Sequence, residues 1–150
     1  MKKMRTLLVS SFILGCLLNA QIAIVVNKSN DVENFTIEEL KQLYHGDLFL
    51  FENGLPIILI ETQPLAEDFY QLLYNKSRIK IKKYWISLVF SGRSAIPPTE
   101  KATAGEVLEF VANTPGAIAF ISSSDLDDRV KTVTINSNSY EQETYPLLKK

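Results

Sequence analysis

Few side chains in this sequence can do chemistry, and their types narrow what that chemistry is. The 150-residue chain holds one histidine, His45, and one cysteine, Cys16. Nucleophilic catalysis needs a nucleophile beside a base. His45 stands alone, just before Gly46, where the dipole at a helix end accounts for it. One His, one Cys and no carboxylates at ligand spacing offer no transition-metal site. Asp125, Asp127 and Asp128 lack the glycine and distal glutamate of a calcium loop and are expected in a solvated turn. No metal, cofactor or catalysis is therefore expected, and binding is what remains. The best candidate for that is residues 61–65 (ETQPL), which follow an apolar run and open a helical pattern. A helix N-terminus after a buried strand offers unbonded N–H groups and a positive dipole end to an anion. Thr62 and Gln63 would face it. Pro64 removes one donor, and Glu61 and Glu67 add negative charge, so a purely structural cap is the competing expectation. Lys76, Arg78, Lys80, Lys82 and Lys83 put five cations into eight residues. At helical spacing they mostly oppose Ile81, Trp85 and Leu88, as a solvated face or as a docking patch for an anionic partner.

The segments that must position these residues begin after an export signal. Lys2, Lys3 and Arg5 precede an apolar run over residues 6–18, which at about 13 residues is too short to span a bilayer comfortably. Residues 1–20 are expected to be a signal peptide cut after Ala20, leaving residues 21–150 as one periplasmic or secreted α/β domain. Ile13-Leu14-Gly15-Cys16 resembles a lipobox, so a lipoprotein anchored through Cys16 is the alternative. Beyond Ala20, 13 basic residues face 17 acidic ones, a net charge of −4 that argues against nucleic acid as a partner.

Strand and helix patterns then alternate. Residues 21–26 (QIAIVV) are expected as a buried strand. Thr36 and Glu39 form a capping box for a helix that presents Ile37, Leu40, Leu43 and Tyr44 and stops at Gly46. Residues 48–51 and 56–60 flank a turn at Glu52-Asn53-Gly54 as two strands. Pro64 is expected at N1 of a second helix, capped by Thr62 or Gln63, with Leu65, Phe69, Leu72 and Leu73 inward. A third helix covers residues 79–90, burying Ile81, Trp85, Leu88 and Val89. A loop over residues 93–101 leads to a second capping box, Thr103 and Glu106, whose helix turns Val107, Phe110 and Val111 inward. Residues 117–121 (AIAFI) are expected as a buried strand, residues 130–135 as an edge strand and the tail as polar and irregular. This order predicts an α/β domain with a mixed sheet flanked by helices.

The same order resembles one lobe of the phosphate-binding proteins of bacterial ABC transporters, in the type II periplasmic binding protein superfamily, and more closely the single-lobe exported proteins of that kind. The matching pieces are Ile22 to Asn27, Thr36 to Leu40 with Tyr44-His45-Gly46, Asn53-Gly54 before Pro56-Ile57, Phe69-Tyr70, Tyr84-Trp85 to Phe90-Ser91-Gly92, and Asn113-Thr114-Pro115-Gly116-Ala117-Ile118. The resemblance implies a substrate-binding role in transport, with phosphate or another small oxyanion bound at Thr62 and Gln63 and, by extension, at Ser91 and Arg93. Two-lobed members carry an Arg and a Ser-Gly-Thr at the start of the second helix, and this chain has Glu61-Thr62-Gln63-Pro64-Leu65 instead. A clamp around the ligand would then need a second lobe, supplied by dimerisation or by a partner protein. The departure also opens a second reading, a ligand-free accessory module of an envelope transporter or sensor.

Overall fold

A computed structural model describes residues 20–150, so the expected signal segment and Cys16 lie outside the described residues. In chain order the elements are β1 (Ile22–Asn27), β2 (Asn34–Phe35), α1 (Ile37–His45), β3 (Ile58–Thr62), α2 (Ala66–Tyr74), α3 (Arg78–Phe90), β4 (Thr99–Lys101), α4 (Ala104–Asn113), β5 (Ala117–Ser122), β6 (Val130–Thr132) and β7 (Thr134–Ile135). Single 3-10 turns sit at Gln63–Leu65 and Ser123–Asp125.

Five strands form one mixed sheet in the order β4-β3-β5-β1-β6. Strand β1 is buried at every position, as a run that is apolar on both faces must be when helices cover both sides. It pairs antiparallel with β5 and β6, while β3 runs parallel to β5 and β4. Alternation divides the interior into two cores. Ile22, Ile24, Val26, Ile118 and Phe120 face α1, α2 and α3; Val25, Ile60, Ala119 and Ile121 face α4. The larger core centres on Phe69 stacked against Phe120, centroids 3.9 Å apart, with the Tyr44 ring steeply inclined to Phe69 at a centroid distance of 4.9 Å.

Helix α1 starts as the sequence predicts. Thr36 accepts from the Glu39 N–H and Glu39 reaches back to the Thr36 N–H, closing the capping box, and Gly46 ends the helix in the left-handed region at φ +81°. Elsewhere the structure corrects the expected pattern. The strand expected at 48–51 reduces to a single bridge between Leu50 and Pro56, and the one expected at 56–60 is β3, which begins at Ile58 and runs on to Thr62. Pro64 is the second residue of a 3-10 turn, Gln63–Leu65, that precedes α2; Thr62 holds its N-cap position, but no side chain caps the turn. Thr103 does cap α4, but Glu106 reaches the Ala102 N–H, so the second box is only half formed. Leu108 is buried in place of Phe110, and Val89 is exposed. The expected loop at 93–101 ends in β4, a short polar strand held by backbone pairing to β3. The expected edge strand at 130–135 breaks at Val133, whose N–H bonds Ile24, and β7 then leaves to pair with β2 in a small second sheet. The tail is irregular but anchored: Tyr145 and Leu147 are buried, and the Tyr145 hydroxyl donates to the Ile22 carbonyl.

Candidate functional site

Because β3, β4 and β5 are mutually parallel, they end on one edge of the sheet, at Thr62, Lys101 and Ser122. Each leads into helical backbone there: the Gln63–Leu65 turn, α4 and the Ser123–Asp125 turn. In open α/β sheets the carboxyl edge of the strands is where ligands bind, because the N–H groups of the following turns lack partners. The turn after β3 has no side-chain cap, and neither does the start of α2.

The charged side chains on this edge form a small network. Glu61, the penultimate residue of β3, has a carboxylate only 5% exposed. It accepts from the Arg78 Nε at 2.7 Å and from the Tyr70 hydroxyl at 2.7 Å. Arg78 Nη2 lies 2.5 Å from Glu61 Oε1 and 3.2 Å from Glu100 Oε2, off the hydrogen-bond line, so its tie to both carboxylates is ionic. Burial works against the Arg78 charge, and the hydrogen bond and charge of Glu61 overcome it, raising the guanidinium pKa. Burial first, and then the Glu61 carboxylate, push the Tyr70 hydroxyl far above its ordinary value, so it stays a donor.

Glu100 of β4 lies opposite Glu61 in the β3–β4 register and is itself cradled. Lys82 Nζ binds one of its oxygens at 2.5 Å; Gln63 Nε2 donates to the other at 2.7 Å, beside Arg78. The Lys82 and Gln63 hydrogen bonds hold the Glu100 carboxyl below the usual carboxylate range. Three side chains, two from α3 and one from the 63–65 turn, thus supply a guanidinium, an ammonium and a carboxamide to one anionic group that is 35% exposed. Chemically this is a cradle for a planar or tetrahedral oxyanion, occupied by a carboxylate of the protein itself. Glu67 is turned away from it: it accepts from the Arg78 N–H and the Gln71 amide, capping α3 from α2 and lowering its own pKa.

Of the residues singled out in the sequence, Gln63 lies in this cradle. Thr62 adjoins it but is buried, and its hydroxyl donates to the Phe120 carbonyl, fixing β3 to β5. Ser91 and Arg93 follow the last residue of α3, a helix about 20 Å long at 1.5 Å per residue whose first residue is Arg78. Ser91 bonds the Leu88 carbonyl, and the charge of Arg93 acts on Tyr84, near His45 and Asp47. The structure therefore joins Thr62 and Gln63 and sets Ser91 and Arg93 at the other end of α3. Arg78, Lys82 and Glu100 were legible only as parts of a basic run and a loop; the clue was that Arg78 and Lys82 are four apart, on one helix face. His45 stacks on Tyr84, centroids 4.1 Å apart, and its Nδ1 donates to Asp47. Among the described residues no group of three or more His, Cys, Asp or Glu is placed to hold a metal ion, and no helix is long and apolar enough to cross a membrane.

No family model matches the sequence. Its structure is similar to that of an ABC-type phosphate transport receptor from Vibrio cholerae (20% identity, TM-score 0.67), covering 85% of this chain and 53% of that one. It is also similar to a protein from Clostridium perfringens of the phosphate ABC transporter substrate-binding class, solved with bound phosphate (19% identity, TM-score 0.66), covering 81% and 47%. A third is PstS from Borrelia burgdorferi (16% identity, TM-score 0.60), covering 79% and 48%. The chain spans about half the length of these proteins. Its fold is that of one lobe of a type II periplasmic binding protein, a mixed five-stranded sheet flanked by helices.

Proposed function

We propose that this chain is an exported binding lobe, not an enzyme, that takes phosphate or a similar small oxyanion at the carboxyl edge of its sheet and serves phosphate uptake beside an ABC transporter. The observation that carries this reading is the cradle of Gln63, Arg78 and Lys82 around the Glu100 carboxylate. An oxyanion entering from solvent would displace Glu100 and keep the same three donors, with the uncapped 63–65 turn adding backbone N–H groups and Thr62 pinning that turn to β5. Glu61 neutralises part of the Arg78 charge, so one lobe alone would hold its ligand weakly. A second lobe, from dimerisation or a partner protein, would complete the clamp. Work outside the cytoplasm follows from the signal segment, cut after Ala20, or with the chain tethered through Cys16.

The second reading, a ligand-free accessory module of a transporter or sensor, is favoured by the same carboxylate: the anion that the cradle can hold is already part of the protein. A crystal grown in phosphate separates the two. The first expects tetrahedral density between Gln63, Arg78 and Lys82 with Glu100 swung outward. Glu100 still seated in the cradle at high phosphate would support the second.

A further inference from the structure

The surface that adjoins the cradle, sharing Lys82 and Glu100 with it, carries an inference that holds whether or not the sheet edge takes phosphate. Helix α3 buries Ile81, Trp85 and Leu88, yet its outer face is also apolar. Ile79, Ile86 and Phe90 follow one another at i, i+7 and i+11, a stripe about 16 Å long, and Phe90 is 86% exposed. Across a groove of about 430 Å³ stand Pro97 and Pro98, next to Ile96, which is 83% exposed; Trp85, Ile86 and Val89 line the groove between. Trp85 Nε1 is buried with no acceptor among the described residues. Large exposed side chains grouped in this way mark an interaction site rather than scattered surface.

The charge of α3 and its flanking turns is of one sign, and the two acids at the groove, Glu61 and Glu100, are paired with Arg78 and Lys82. Between Asp68 and Glu100 the sequence has no acidic residue and six cations, Lys76, Arg78, Lys80, Lys82, Lys83 and Arg93, in a chain whose net charge is −1. The electrostatics therefore ask for an acidic occupant. A second copy would set Lys76, Lys80 and Lys83 against their own kind. An anionic membrane would cover β4, which among the described residues pairs only with β3 and leaves its outer backbone edge open. Acyl chains cannot satisfy that edge, whereas an extended peptide can. We propose that α3 and the outer edge of β4 form a docking surface for an extended protein segment, apolar at its centre and flanked by Asp or Glu.

Panning a phage-displayed peptide library on the purified protein, with Phe90→Asp as the counter-target, tests this. Phe90 is exposed, so the variant should keep its circular dichroism and melting temperature. Enriched peptides should combine apolar centres with acidic flanks and bind the variant at least ten-fold more weakly. They should also weaken as salt rises, while phosphate titrations stay the same in both proteins. Three results would overturn the proposal: no enrichment over Phe90→Asp, binding to phosphatidylglycerol vesicles in place of peptides, or self-association in sedimentation that Phe90→Asp abolishes.

Discussion

At the scale of single residues, Glu61 is the most demanding feature of the sheet edge: a carboxylate near the end of β3 whose side chain is only 5% exposed. Burying a carboxylate costs several kcal/mol unless it is paired, and here Arg78 and Tyr70 supply the partners. Removing one partner strands the charge. Arg78→Ala should lower unfolding free energy by about 3–5 kcal/mol in urea denaturation, and a loss below about 1 kcal/mol would mean that solvent already screens Glu61. Glu61→Gln should cost less, since a neutral amide still bonds Tyr70 and Arg78 is the more exposed partner, at 26%. The sequence showed Glu61 only as unwelcome charge beside a helix start, because its partner lies 17 residues away on another helix. Such pairings follow from the fold and leave no local pattern.

At the scale of elements, what was legible followed from short-range chemistry. The capping box and Gly46 fix α1 within ten residues, and the structure shows both. Gly46 also has a long-range role. A Cβ there would lie 2.7 Å from Trp85 Cη2, on α3, in a backbone conformation that L residues rarely adopt. Gly46→Ala should therefore destabilise by about 1–3 kcal/mol, through both strain and the forced shift of α3, and chemical denaturation checks it; a neutral effect would show that α1 and α3 slide apart freely. Strand β4 was illegible for the opposite reason. Thr99, Glu100 and Lys101 have no apolar alternation, and only pairing with β3 makes them a strand. The cradle inherits that blind spot, since Glu100 reaches it only through β4.

At the scale of the whole molecule, titration ties stability to pH from both sides. Glu67, Glu100 and Asp127 have pKa values lowered by their hydrogen bonds to Arg78, Lys82 and Arg129. Their contribution is complete above the ordinary carboxylate value and is lost as pH falls through the lowered native values. Burial raises Tyr44, Tyr70, Tyr74 and Tyr145 above the ordinary 10.0. Their share is complete below 10.0 and declines as pH rises beyond it, where only the unfolded chain gives up these protons. Melting temperature should thus be flat near neutrality and fall at both extremes; a continuous rise into alkali would contradict the burial of the tyrosines. The fold of one lobe was legible in the order of strands and helices, while its ligand depends on which anion the edge holds. Calorimetric titration of phosphate into the folded protein and into Glu100→Gln tests that most directly. Saturable one-to-one heat is expected, about ten-fold tighter in Glu100→Gln because the competing carboxylate is gone. An absence of heat at millimolar phosphate in both folded proteins would contradict oxyanion binding by this lobe.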